Sequence, residues 1–520
     1  MEEIIGSLRR TKAADIHGIP PCMIRDLAPI LAPLLTRIFN QSISLGTYPD
    51  ALKLTKVVAA YKGKGASRSN VASYRPISLV PILAKCLDRM LNRQLMSYLL
   101  SKHLLAPKQY AFRPGSSTIR ALENIYSSLL KGKNSRSAVI LVSTDLSKAY
   151  DTVDHTRLLQ KLKSQFHMSD KALALLRAYI TDRSLSTHIG DTSSTLRLLS
   201  HGIPQGSSLS TTLFIMYVND LFQTTHNTNI VAFADDNTLI LAANDPRALL
   251  ALAKADFSCV TDYMLENRLA LHPTKTKYMI LNAPALHSVP LCVGTQPITK
   301  STSVRTLGVI LDQKMRHSTT VGLRIQSLQP IVKQLSYARQ FLTTPELKHL
   351  YLEQAYPRLT HSITIWGHET PKGYLRPLIK IQKRLVRAIA KVGYRTPTRN
   401  LFTELNFLTV PYLFILRVCT EMHPFITQRS AGVEVNAGHI HHIHHYQPAG
   451  AHHRYPSRHA AAEHKLRITR GMDPLAKRYA TIWNNIPGTI RSITHIKQFS
   501  AMLKLDLINK QSIDRRVFTN

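Results

Sequence analysis

Apolar positions repeat with two different periods along the chain, and the changes of period divide it. LAPILAPLLTRIFNQSISLG, residues 27–46, carries its apolar residues at helical spacing and predicts an amphipathic helix. A short β-branched run follows, Lys56-Val57-Val58-Ala59-Ala60, and ends in the basic, turn-like Tyr61-Lys62-Gly63-Lys64-Gly65, a loop suited to holding an anion. Helical spacing returns over residues 78–105. After QYAFRPGSST a third helix is predicted from Thr118, with Ser116 or Ser117 as its N-cap. Residues 138–144 (AVILVST) form an unbroken apolar run of the kind buried on both faces of a sheet, and the run delivers Asp145 at its C-terminal end. Residues 156–181 read as helix, and Gly202-Ile203-Pro204-Gln205-Gly206 opens another that extends to about Phe222. Between Asn229 and Leu241 two short apolar runs flank Asp235-Asp236-Asn237, the pattern of a hairpin with acidic residues at its turn. Beyond residue 313 helical spacing dominates, as in residues 345–356 and in the basic stretch from Ile379 to Lys391.

Composition adds a partner class. At 520 residues there is room for several domains, and an apolar share of 44% is ordinary for a folded chain. The 67 Lys and Arg against 31 Asp and Glu leave a net charge of +36. Such a surplus repels itself in the compact state and marks a polyanionic partner, nucleic acid rather than an acidic membrane. Roughly +20 of it lies after residue 315, which suits that part to a phosphate backbone. Five scattered cysteines without C-x-x-C spacing exclude a disulfide scaffold and fit a reducing compartment. No basic leader precedes an apolar stretch, and no run of about 18 apolar residues is present, so a soluble protein with no membrane partner is expected. Nine histidines crowd residues 437–465, but no cysteine lies near them. A flexible low-complexity loop is the better reading than a zinc site.

Asp145 at a strand end and Asp235-Asp236 at a hairpin tip pose a question of chemistry. Phosphoryl transfer with two metals answers it, because hard cations require carboxylate oxygens converging from separate segments. Taken alone, each aspartate would more often be a cap or turn residue. The surrounding words decide otherwise: Thr-Asp-Leu-Ser-Lys-Ala-Tyr-Asp, Gly-Ile-Pro-Gln-Gly-Ser-Ser-Leu and Phe-Ala-Asp-Asp occur together and in order. In these the chain resembles the reverse transcriptases of non-LTR (LINE-type, jockey-like) retrotransposons, from about residue 12 to the C-terminus.

The resemblance implies an α+β right-hand polymerase of fingers, palm and thumb with a mostly helical basic C-terminal region. Its expected divisions are an N-terminal extension over 1–46, fingers and palm over 47–312, a helical thumb over 313–400 and a basic, His-rich region over 401–520. It implies RNA-directed DNA synthesis from a primer 3′-OH, with an RNA template, a DNA primer or target and dNTPs as partners. Asp145, Asp235 and Asp236 would hold two Mg²⁺ ions, with Mn²⁺ as a substitute, and Lys275 in LHPTKTK would protonate the departing pyrophosphate. Tyr150 would exclude a ribose 2′-OH, while Gln205 and Gly206 meet the template and nascent pair. Lys62, Arg75 and Arg113 would contact the nucleotide, although a solvated basic loop explains Arg113 nearly as well. Val304 to Asp312 resembles the hairpin that grips the primer end. The family's usual Gly-Pro pair is here Ser210-Thr211, and the chain is expected to start inside the polymerase's N-terminal extension, without the endonuclease that complete elements carry upstream. These departures motivate an alternative, a catalytically impaired, truncated relic that only binds nucleic acid, and imply a separately supplied endonuclease if the element is active.

Overall fold

A computed structural model describes residues 1–63, 65, 67–283, 286, 291–369, 372–430, 466 and 473–513. Lys64 and the histidine-rich segment lie outside the described residues.

The first amphipathic helix, α1 (Ala28–Leu45), ends where expected, at Gly46 with φ +68°. β1 (Leu54–Tyr61) pairs with β2 (Tyr74–Leu79), antiparallel, with Ala60 opposite Arg75. Residues 78 and 79, expected to begin a helix, therefore belong to a strand. Two prolines explain the difference: Pro76 and Pro81 each hold the preceding residue in extended backbone. The helix α2 starts after Pro81 and spans Ile82–Ser101, its first amide donating to the Asp15 carboxylate at 2.7 Å. α3 (Thr118–Asn134) is capped by the Ser117 side chain, one of the two residues foreseen for it.

β3 (Ala138–Thr144) lies at the centre of a five-stranded sheet and is buried on both faces. Val139 and Leu141 pack with Ile125 of α3, and Ile140 and Val142 join the opposite core. The helical stretch after it divides into α4 (His155–Ser164) and α5 (Asp170–Ile180), because Ser169 caps the second helix. β4 (Ser184–Ile189) runs parallel to β1. α6 (Ser208–Tyr217) is shorter than expected and gives way to a 3₁₀ turn over Asn219–Gln223. The hairpin follows as β5 (Asn229–Phe233) and β6 (Asp236–Ala243), then α7 (Pro246–Glu266), β7 (Lys277–Leu281) and β8 (Thr299–Lys300). The sheet order is β8-β7-β3-β6-β5, which leaves β5 at an edge. β9 (Ser303–Thr306) and β10 (Val309–Asp312) form a tight separate hairpin on Leu307-Gly308, both with positive φ.

The described remainder is helical, as expected. α8 (Ser318–Ala338) packs on α9 (Lys372–Ile389), and α10 (Val410–Ser430), α11 (Pro474–Asn484) and α12 (Ile496–Ile513) are the other long helices, with shorter helical segments between them. This C-terminal part shares one core with α3 and one face of the central sheet. Trp483 stacks on Phe499 with ring centres 5.5 Å apart, and the Tyr479 hydroxyl donates to Glu123 of α3 at 2.6 Å. The Ser127 hydroxyl of α3 likewise bonds Asp473, just before α11. Among the described residues no helix is long and apolar enough to cross a membrane.

Candidate active site

The register of the central sheet brings the acidic residues together. Thr144 lies opposite Asn237, so Asp145 leaves β3 beside Asp236 at the start of β6. Phe233 pairs with Asp236, which confines the turn to Ala234 and Asp235. Ala234 adopts φ +57°. The left-handed conformation costs a non-glycine residue about 1–2 kcal/mol, so the surrounding packing must impose it. Residues 146–147 then pair with residues 270–271, which carries the next loop to Asp145. The His272 amide donates to the Asp145 carbonyl at 2.9 Å, and Lys275 Nζ lies 3.0 Å from the Asp145 carboxylate.

Burial and crowding raise the pKa values of the hairpin carboxylates. Burial, and then the charge of Asp145, push Asp235 above the ordinary range against the opposing influence of Arg75. Desolvation followed by the charges of Asp235 and Asp145 lifts Asp236 to about 6. These oxygens fit hard divalent cations, which would relieve the repulsion that the side chains impose on one another. Among the described residues no three acidic, His or Cys side chains close around a single point as a preformed metal cage.

Tyr150 stands next to this cluster. Its ring stacks on Phe214 of α6, centroids 4.9 Å apart and planes 20° from parallel. Burial, and then the charge of Asp235, push its phenol up, so it remains protonated. The backbone of the following turn holds the Gly202–Gly206 loop: Ile203 donates to the Tyr150 carbonyl at 2.9 Å and Gly202 to Val153 at 2.8 Å. On the other side Ser78 of β2 donates to the Gln205 carbonyl at 2.9 Å. Both approaches require glycine. A Cβ on Gly202 would meet the Asp151 carbonyl at 2.8 Å, and one on Gly206 the Ser78 carbonyl at 2.5 Å.

Beneath this loop lies a buried polar network that sequence reading did not find. Asp88 of α2 accepts from the Tyr48 hydroxyl at 2.9 Å and from Ser207 Oγ at 2.6 Å. Tyr179 reaches Ser207 at 2.9 Å and Ser210 at 2.8 Å, and the buried Arg183 guanidinium faces the Tyr179 ring. Ser210, where the resemblance leads one to expect glycine, thus has a partner of its own. Thr212 donates to Asn92 at 2.6 Å, and α6 starts cleanly on its Ser207 cap.

The basic residues divide. Lys62 and Arg75 are both exposed, at the end of β1 and on β2, and Arg75 bears electrostatically on Asp235. Arg113 instead turns inward, its Nη1 donating to the carbonyls of Ala106 at 2.7 Å and Gln109 at 3.3 Å, so it braces its own loop. Asp154 caps α4 and pairs with Arg268, and Asp220 receives Lys161, Tyr263 and Gln165, which accounts for both without ligand duty. Lys380, Lys383, Arg384, Arg387 and Arg399 line a separate cleft along α9, with no carboxylate among its described lining residues.

Comparison with known proteins agrees with this geometry. Residues 62–311 match the family model described as reverse transcriptase (RNA-dependent DNA polymerase). The chain is 24% identical over 78% of its length to the probable RNA-directed DNA polymerase from transposon BS of Drosophila melanogaster, covering 46% of that protein. It is 25% identical over 78% of its length to the RNA-directed DNA polymerase from mobile element jockey of Drosophila funebris, covering 45% of it. The chain thus spans about half the length of the curated relatives it matches. A telomerase from Candida albicans, solved with a fragment of telomeric RNA, aligns over 76% of this chain and 67% of its own at 12% identity, with a TM-score of 0.37, too loose a superposition to carry an argument. On the family match, and on the carboxylates gathered at one end of one sheet, residues 62–311 carry a reverse transcriptase domain, and most of the chain is similar to the polymerases of jockey-like non-LTR retrotransposons.

Proposed function

We propose that this chain extends a primer 3′-OH on an RNA template with dNTPs and releases pyrophosphate. The observation that carries the reading is the convergence of Asp145, Asp235, Asp236 and Lys275 at one end of the central sheet. In it the three carboxylates hold two Mg²⁺ ions, with Mn²⁺ as a substitute. Such ions, when bound, stabilise the attacking and leaving oxygens of an in-line displacement. Lys275 is exposed and its Nζ lies 3.0 Å from the Asp145 carboxylate, so in this reading it orients Asp145 and acts as the proton donor to the departing pyrophosphate. Tyr150, backed by Phe214, presents a wall that cannot retreat, and a ribose 2′-OH would collide with it. Gln205 and Gly206, fixed against Ser78, offer backbone and amide to the template base and nascent pair.

Lys62 and Arg75 neutralise triphosphate charge from the β1–β2 side, with Arg75 as the planar fork. The same reading assigns residues 1–46 to an N-terminal extension, 47–312 to fingers and palm, 313–400 to a thumb and 401–520 to a C-terminal region. A DNA primer or target completes the partners, and a separately supplied endonuclease would furnish the nick. The test is extension of a labelled primer on RNA by the wild-type chain and by Asp235→Asn, each checked for primer–template binding. The reading expects extension only by the wild type with binding retained in both. Equal extension by the two proteins would reject it.

A further inference from the structure

We infer that Gln109 is a positioning residue that fixes the turn carrying Asp235 and Asp236; the inference rests on the polymerase reading and extends it to a residue outside the carboxylate set. It begins with the edge of the central sheet. β5 has no strand on its outer side, and residues 108–110 run alongside it in parallel. Ala232 donates to the Lys108 carbonyl at 3.0 Å, and Tyr110 donates back to the Ala232 carbonyl at 2.9 Å.

Two residues further on, the backbone of β5 has entered the turn and the ladder cannot continue. Ala234 is buried, so its N–H must find an acceptor other than water. Gln109 supplies one: its Oε1 accepts from the Ala234 amide at 3.1 Å. The same oxygen accepts from the Ala111 amide at 3.1 Å, which ties the turn to the covering loop. Arg113 holds that loop from behind through the Ala106 and Gln109 carbonyls. Asn237 Nδ2 donates to the Asp235 carbonyl at 3.3 Å on the far side of the turn, and Gln109 is the side chain that holds the amide of the left-handed Ala234 immediately before the acidic pair.

A plain core glutamine would satisfy both ends of its amide. Gln109 does not: it is 1% exposed, and its Nε2 has no hydrogen-bond partner. The acceptor oxygen alone therefore accounts for its place, which makes a specific experiment available. Glutamate keeps that oxygen whether charged or protonated, whereas methionine keeps the length without an acceptor. Asparagine keeps the amide but is one methylene too short.

Wild type, Gln109→Glu, Gln109→Met and Gln109→Asn are compared in three measurements. Single-nucleotide extension gives kcat and KM for dNTP, Mn²⁺ binding without nucleotide is followed by electron paramagnetic resonance, and hydrogen exchange is read on peptides spanning residues 229–241. We expect Gln109→Met and Gln109→Asn to lose roughly ten- to a hundred-fold in kcat with KM changed less than about two-fold, as for ångström-scale misplacement of reacting groups. Their Mn²⁺ affinity should fall about ten-fold, the usual cost of removing a group that orients ligands. Exchange should accelerate in the hairpin peptides only, and Gln109→Glu should restore all three readouts. If Gln109→Met does not fold, Gln109→Asn carries the same comparison. Folded Met and Asn variants with wild-type kcat, Mn²⁺ binding and exchange would overturn the assignment, as would a Glu variant no better than Met. A wild-type chain that extends no primer fails the polymerase reading instead, and the Mn²⁺ and exchange arms still judge Gln109.

Discussion

Replacing Asp88 with asparagine removes the ionisable centre of the network beneath the Gly202–Gly206 loop while keeping its shape. Asp88 is 1% exposed, and burial lifts its carboxyl to about 6, against the pull of Ser207, Arg183 and Tyr48 in the other direction. From an ordinary 3.8 this is a rise of about 2 units, and at 1.36 kcal/mol per unit it amounts to roughly 3 kcal/mol. The folded chain binds this proton more tightly than the unfolded chain does. The stability so gained is complete below about pH 4 and is lost as pH rises through about 6. Asp88→Asn has no proton to lose. Urea unfolding of both proteins in parallel from pH 4 to 7.5 isolates the group, since all others titrate alike in the two chains. The variant should gain on the wild type by about 3 kcal/mol across that range. A difference that stays flat, or one that favours the wild type as pH rises, would refute the reasoning. Either would mean that Arg183 and the hydroxyls stabilise the charged carboxylate more than burial opposes it.

Three further outcomes follow from the site. Tyr150→Ala should incorporate ribonucleotides that the wild type rejects, read as the ratio of rNTP to dNTP addition on one template; an unchanged ratio would remove Tyr150 as the gate. Gly206→Ala places a Cβ 2.5 Å from the Ser78 carbonyl at φ +136°, so thermal denaturation should show a loss of about 1–3 kcal/mol together with weaker template use. Replacing Lys380 and Arg384 with alanine should flatten the dependence of log binding constant on log salt by about 1.4–1.8 if both meet phosphates, and an unchanged slope would place the nucleic acid elsewhere.

The site was legible where a local pattern carried it. AVILVST has one sensible reading, a strand buried on both faces, and it fixes where Asp145 emerges. Two apolar runs around Asp235-Asp236 likewise allow little besides a hairpin, and the observed turn differs only in being confined to Ala234 and Asp235. Asp88 was not legible, because a single aspartate in the amphipathic helix α2 looks like a surface residue. Its burial is decided by Ser207, 119 positions away. Gln109 was hidden for the same reason: its acceptor role exists only because a covering loop closes the edge of β5. The short strand Ser184–Ile189 escaped because SLSTHI has little apolar character, and its pairing with β1 comes from tertiary contact. For Arg113 the sequence allows nucleotide contact and a basic loop almost equally, and in the fold its guanidinium bonds the backbone of its own loop.

The central claim is that the carboxylates at the end of the central sheet direct templated nucleotide addition. The most direct measurement is single-nucleotide extension of a labelled primer on four RNA templates that differ only in the first unpaired base, with each dNTP supplied separately in Mg²⁺ and pyrophosphate counted. The account predicts addition of the complementary dNTP alone, one pyrophosphate per addition, and none of either from Asp235→Asn. Addition that ignores the template base, or that persists in Asp235→Asn, would contradict it.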